Sequence, residues 1–196
     1  MLDSWPLLSQ TRFPAVKRKQ LETLQVNLGY LCNLSCTHCH VNAGPNRTEL
    51  MDHANIELVL DFIEKQKIEL LDLTGGSPEM NPHFRYLVSE ARKKGVSVMD
   101  RCNPTILLEP GYEDCAGFLA EHQVLVTASL PCYSEQNVDK QRGKGVFADS
   151  VAALQCLNTL GYGQLDSGLI LNLVYNPTGP FLPPPQQALE ADYKRE

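Results

Sequence analysis

Three closely spaced cysteines, in Cys32-Asn-Leu-Ser-Cys36-Thr-His-Cys39, carry the most specific chemistry in this chain. The C-x3-C-x2-C spacing puts three thiols on one short loop, and thiolates are the usual ligands of iron–sulfur clusters. Three protein ligands leave the fourth iron of a cubane cluster open to chelate a small molecule. Other readings use the same residues. Cys32, Cys36, Cys39 and His40 form a thiolate–imidazole set for zinc, bunched and without a second cysteine pair. Cys36-Thr-His-Cys39-His40 matches the C-x-x-C-H haem-attachment pattern, a chemistry that needs export. A C-x-x-C redox pair leaves Cys32 unexplained.

A second signal is Leu73-Thr74-Gly75-Gly76-Ser77-Pro78-Glu79. Glycines permit close backbone approach and unusual dihedrals. Alone, this reads as a strand-to-helix turn. One βα unit after the cysteine loop, it shares a rim with that loop.

The elements that position these loops are legible as alternation. Strands are expected at Leu24 to Leu28, Ile68 to Leu73, Val96 to Met99, Val124 to Leu130 and Gly168 to Tyr175. Helices are expected at Met51 to Lys65, with Ile56, Val59, Leu60 and Ile63 on one face, and at Pro82 to Lys94, with Phe84, Leu87, Val88 and Ala91 inward. Two more are expected at Tyr112 to His122 and Ala148 to Leu160. Alternating strands and helices imply right-handed βαβ units, a parallel sheet and outer helices. An open doubly wound sheet and a partial barrel both fit, and in either the ligands gather at the carboxyl ends of the strands.

Residues 1–22 read as an irregular lead-in, with Pro6 and Pro14 breaking any helix. Residues 23–179 form the core. Residues 180–196 begin with a proline-rich stretch, and a helix starts at Gln186, which suggests a fragment of a longer protein. The 196 residues carry a formal net charge of −6, which argues against nucleic acid as a partner. No apolar run approaches the ~18 residues of a membrane span. Seven cysteines without an export signal point to reduced thiols in a cytoplasm.

The two motifs resemble those of the radical S-adenosylmethionine superfamily, which carries C-x3-C-x-φ-C after the first strand and Gly-Gly-Glu-Pro after the second. The resemblance implies an α/β fold of the partial (β/α) barrel type. It implies a [4Fe–4S] cluster on Cys32, Cys36 and Cys39 with S-adenosylmethionine on the open iron. His38, at the φ position, would lie near the adenine, and Gly75, Gly76, Ser77, Pro78 and Glu79 would line the cofactor. Ser77 departs from the usual Glu, which arrives two residues later as Glu79. The superfamily cleaves its cofactor reductively to a 5′-deoxyadenosyl radical. A reducing electron donor such as flavodoxin or ferredoxin and a small-molecule substrate are implied.

Val41-Asn-Ala-Gly-Pro45, Arg101-Cys-Asn-Pro104, Ser129-Leu-Pro-Cys-Tyr133, Gln141-Arg-Gly143 and Tyr175-Asn-Pro-Thr-Gly-Pro180 are similar to the arsenosugar-biosynthesis radical SAM proteins. That likeness implies adenosyl transfer to a dimethylated As(III) compound. Hydrogen abstraction from an organic substrate and a non-catalytic zinc module are the alternatives. From their places after strands, Asn103 and Ser129 could bond the cofactor's ribose or carboxylate, and Asn176 follows the fifth strand. Cys132, or else Cys102, could offer a thiolate to trivalent arsenic, a soft ion; an inert buried thiol is the competing reading. Cys115 and Cys156 read as packing, and His53, His83, His122 and the other glutamates as solvated helix faces.

Overall fold

Short Leu- and Val-bearing runs form the strands, and amphipathic segments between them form the helices. The computed structural model describes residues 3–14, 17–177, 179 and 182–195. In chain order the elements are α1 (Trp5–Leu8), β1 (Thr23–Asn27), α2 (His53–Gln66), β2 (Leu70–Thr74), α3 (Phe84–Lys93) and β3 (Ser97–Asp100). They continue with α4 (Cys115–Glu121), β4 (Leu125–Ala128), α5 (Glu135–Arg142), α6 (Val146–Thr159), β5 (Leu171–Leu173) and α7 (Gln186–Arg195). Two 3-10 turns, Pro78–Met80 and Pro104–Leu108, follow β2 and β3. Thr178, Pro180 and Glu196, which belong to expected motifs, lie outside the described residues.

All described strand pairs are parallel, and the order across the sheet is β1-β2-β3-β4-β5. A doubly wound sheet reverses direction at a switch point. This order never reverses, so the architecture is the partial-barrel kind.

Register decides which residues look inward. Leu71 pairs with Val98, and Leu73 pairs with Asp100, which pairs with Val126. These side chains share the helix-covered face and pack with Phe84, Leu87, Leu119, Leu157 and Tyr162. The buried Tyr162 hydroxyl donates to the Val124 carbonyl at 2.8 Å, which satisfies both groups. Gln25, Asp72 and Met99 form a row on the opposite face. There Arg101 grips Asp72 with two 2.8 Å bonds, and Gln25 adds a third at 2.7 Å.

The helices begin and end for local reasons. Asp52 caps α2 by accepting the Asn55 N–H at 2.9 Å, and Lys67 closes it in a left-handed conformation. Asn81 holds the approach to α3. Its amide donates to the carbonyls of Leu28 and Met51, and its oxygen accepts the His83 N–H. That turn delays α3 to Phe84, two residues beyond the expected Pro82.

Two expectations fail. Pro6 does not prevent helix α1, because it sits in the first turn, where a missing N–H costs nothing. Helix α5 had no expected counterpart. Its sequence Glu-Gln-Asn-Val-Asp-Lys-Gln-Arg carries little apolar periodicity, and Ser134 caps it.

Leu87 is fully buried between α3 and the sheet. Leu87→Ala is expected to lower unfolding stability by ~2–5 kcal/mol, read from urea denaturation.

Candidate active site

The loop between β1 and α2 carries the three cysteines. Its base is fixed by paired backbone bonds: Cys32 N–H to Gly44 O at 3.2 Å and Gly44 N–H to Tyr30 O at 3.0 Å. Its tip folds on itself, with Cys39 N–H reaching Cys36 O and Asn42 N–H reaching Cys39 O, both at 3.2 Å. The Ala43 N–H also donates to the Cys39 sulfur at 3.3 Å. All seven cysteines are free thiols.

The glycine turn after β2 is joined to this loop directly. Gly76 N–H donates to Gly29 O and Ser77 N–H to Leu31 O, both at 2.9 Å. Gly75 has φ +139°, and a Cβ there would lie 2.5 Å from Gly29 O. A Cβ on Gly76 would lie 2.2 Å from Leu31 O and 3.1 Å from the Cys32 Cβ. Both positions therefore need glycine for backbone contact as well as for any ligand.

Behind the loop lies a buried polar network. The Asn33 amide donates to Thr105 Oγ1 at 2.9 Å and to Glu109 Oε1 at 3.0 Å. Its oxygen accepts from Asn103 Nδ2 at 2.6 Å and from the Ser77 hydroxyl at 3.2 Å. Asn103 Nδ2 also stands 3.9 Å from the Cys32 sulfur, and Ser77 Oγ stands 3.4 Å from it. Asn103 is thus placed beside the cysteine loop, with its own polar atoms engaged inside the protein.

Arg142, at the end of α5, completes the network. Its guanidinium donates to Asn103 Oδ1 and to the Ser129 carbonyl. Burial pushes the Cys36 thiol above its ordinary pKa, and the charge of the nearby Arg142 guanidinium partly offsets this. Burial lowers the His38 pKa, and Arg142 adds to the effect. Arg142 Nε is buried with no hydrogen-bond partner among the described residues. Sequence reasoning quoted Arg142 within a motif and gave it no role. The available signal was a lone arginine ending a polar stretch between two glycines and a strand exit.

His38 itself is exposed. With Thr37, Lys140, Gln141, Asn176 and Pro177 it lines a cleft of about 260 Å³ next to the loop. Asn176 donates to Gln141 Oε1 at 2.9 Å, so the fifth strand's exit also meets this edge.

Three expected site residues fall elsewhere. The 3-10 turn after Ser77 rotates Glu79 inward, to the core beside Asp100 and Cys102, where the three offer ligand atoms within 4.8 Å of one another. Glu79 is therefore neither on the cysteine loop nor on a solvated face. Cys102 is fully buried, away from the strand-end rim, and burial drives its thiol far above the ordinary pKa, with the two carboxyls reinforcing the effect. Cys132 is 7% exposed in a satellite apolar cluster with Leu130, Val138 and Val146, and Asn137 Nδ2 stands 3.6 Å from its sulfur.

The arrangement defines an α/β domain whose strand ends carry three free thiols, a glycine turn locked to them and a buried arginine. That donor set suits an iron–sulfur cluster: three thiols on one loop, with the Asn103 amide and the Ser77 hydroxyl near the Cys32 sulfur and the Ala43 N–H on the Cys39 sulfur. Residues 26–176 match the family model described as the Radical SAM superfamily, and the chain belongs to that superfamily of enzymes. The superfamily uses a [4Fe–4S] cluster and S-adenosylmethionine.

Among curated relatives, the mycofactocin maturase MftC of Mycobacterium ulcerans is 28% identical over 149 residues, covering 74% of this chain and 38% of its own length. That of Mycolicibacterium smegmatis is 30% identical over 135 residues, covering 69% of this chain and 34% of its own. The chain therefore spans little more than a third of these relatives. Among solved structures, anSMEcpe with bound AdoMet superposes with TM-score 0.61 at 20% identity, covering 79% of this chain and 43% of that one. Streptococcus suis SuiB bound to S-adenosylmethionine gives 0.62 at 13%, covering 82% and 36%. At these identities the structures attest the fold alone. No described helix is long and apolar enough to cross a membrane.

Two predictions follow from this geometry. Among the described residues none of the four carboxyl oxygens of Glu79 and Asp100 has a hydrogen-bond partner, and burial raises both pKa values, Asp100's further because Glu79 repels its charge. The folded state then holds a proton that the unfolded chain releases above about pH 4. Stability contributed by this pair is present at low pH and declines as pH rises from about 4 toward the folded pKa values. Asp100→Asn should flatten that decline in unfolding measured against pH. Gly76→Ala should separate the turn from the cysteine loop, with iron content after anaerobic reconstitution falling well below wild type.

Proposed function

We propose that Cys32, Cys36 and Cys39 hold a [4Fe–4S] cluster and that this chain reductively cleaves S-adenosylmethionine. The observation that carries the reading is the backbone lock between the three-thiol loop and the glycine turn, at the strand ends of a parallel partial barrel. Held by Cys32, Cys36 and Cys39, the cluster would supply the electron for reductive cleavage of the cofactor's carbon–sulfur bond.

The chain's own residues bind, orient and exclude water. The buried Arg142, with Nε–H unpartnered, would hold the cofactor's carboxylate by a charge-assisted bond. The Gly75–Ser77 backbone would face the methionyl end. Ser129, whose carbonyl already accepts from Arg142, stands at the same exit. Asn103 would keep that guanidinium in place, acting on the cofactor through Arg142. The His38 cleft would receive the adenine side. The electron would come from a reducing donor such as flavodoxin or ferredoxin.

The finer reading is adenosyl transfer to a dimethylated As(III) compound. The segments Val41–Pro45, Arg101–Pro104, Ser129–Tyr133 and Gln141–Gly143 support it, and several lie around the candidate site. Cys132, the substrate thiol in that reading, is buried away in the satellite cluster, which favours packing. A second reading is hydrogen abstraction from an organic substrate, and the maturases among the relatives belong beside it.

The test is iron and sulfide content with the visible spectrum of anaerobically reconstituted protein. Wild type is expected to hold about four irons with a reduced-state spectrum that responds to S-adenosylmethionine, and Cys36→Ala to lose both. Zinc in place of iron would overturn the reading. An adenosylated arsenical as product favours transfer, and stoichiometric free 5′-deoxyadenosine favours abstraction. Cys132→Ser is expected to leave cofactor cleavage and turnover near wild type.

A further inference from the structure

Ser77 Oγ lies 3.4 Å from the Cys32 sulfur, and both residues are buried, at 3% and 7% exposure. We propose that the Ser77 hydroxyl donates a hydrogen bond to the Cys32 thiolate and raises the reduction potential of the cluster that Cys32 holds. This rests on the cluster reading above.

Three observations support the direction of that bond. As a free thiol, Cys32 could be either donor or acceptor toward Ser77. As a metal-bound thiolate it has no proton, so only the hydroxyl can donate. The hydroxyl's other acceptor is Asn33 Oδ1, at 3.2 Å. That oxygen already takes a shorter bond from Asn103 Nδ2, at 2.6 Å, so it loses little when the hydroxyl turns away. Asn33 cannot flip to present its nitrogen instead, because Thr105 Oγ1 and Glu109 Oε1 hold its amide.

The backbone also fixes the hydroxyl in place. Ser77 N–H is bonded to Leu31 O, the residue beside Cys32, so the two side chains leave adjacent, tethered strands of backbone. Reduction adds negative charge that is shared by the cluster's sulfur ligands. A donor on one sulfur stabilises the reduced state more than the oxidised one, and hydrogen bonds to sulfur are among the factors that set cluster potentials. Burial strengthens the effect, because the local dielectric is low. The Cys39 sulfur has a donor of its own, the Ala43 N–H at 3.3 Å. The Asn103 amide also faces the Cys32 sulfur, but at 3.9 Å against 3.4 Å for Ser77, and replacing Ser77 removes neither that amide nor a charge.

The experiment is an EPR-monitored redox titration of reconstituted wild type, Ser77→Ala, Ser77→Thr and Ser77→Val, each at matched iron content. The Ala and Val variants are expected to be about tenfold harder to reduce, about 59 mV lower for a one-electron couple. The Thr variant, which keeps the hydroxyl, should titrate with wild type. Thr and Val have nearly the same shape, so that pair decides the matter if the Ala variant loads poorly. Equal potentials in all four proteins, or a Thr variant as low as Val, would overturn the proposal and leave the cluster assignment standing. Wild type that takes up no iron would instead overturn the cluster assignment itself.

Discussion

The site depends on a contact between two pieces of backbone. Gly75, Gly76 and Ser77 lie against Gly29 to Cys32 so closely that a single methyl group at Gly76 would collide with the Leu31 carbonyl. Two loops from successive βα units become one surface through hydrogen bonds that use no side chain. Such bonds can be shared by proteins with very different side chains, consistent with a common fold at 13–20% identity. Side-chain chemistry is then added to a rim whose geometry is already set.

The second layer of order is the network behind the loop. A buried guanidinium is costly unless its donors are met. Arg142 meets part of that need with Asn103 Oδ1 and the Ser129 carbonyl, and so ties α5 to the exits of β3 and β4. Asn103 passes the constraint to Asn33, and Asn33 to Ser77 and Thr105. One chain of hydrogen bonds thus connects four segments around the cysteines. Among the described residues the guanidinium keeps its Nε–H unmet, a residual demand that an anionic group would satisfy.

The sheet keeps two kinds of charge apart by strand alternation. Asp72 looks to the open face and meets Arg101, so it is paired. Asp100, one strand over and one step along in register, looks to the helix-covered face and meets Glu79. The result is an ion pair on the open face and, in the core, a carboxyl pair whose pKa values burial raises. That second pair brings the turn that carries Ser77 up against the strand that leads to Asn103.

The cysteine spacing, the glycine turn and the strand–helix alternation could be read from residues alone. Each rests on local chemistry: thiolate affinity for iron, glycine's tolerance of close approach, and the periodicities of strand and helix. The five strands and the four longer expected helices fall within a few residues of their positions, because local apolar patterns drive them. What the sequence could not decide was pairing at a distance. Strand order, and with it the barrel rather than the doubly wound sheet, is set by which edges meet. Helix α5 has almost no apolar stripe, so its one buried arginine became visible as a site residue only once α5 was folded over Asn103. Glu79 shows the same limit in reverse. Two residues from Ser77 in sequence, it is turned by a 3-10 step into the core, because a side chain's direction depends on backbone dihedrals that only the packed structure fixes.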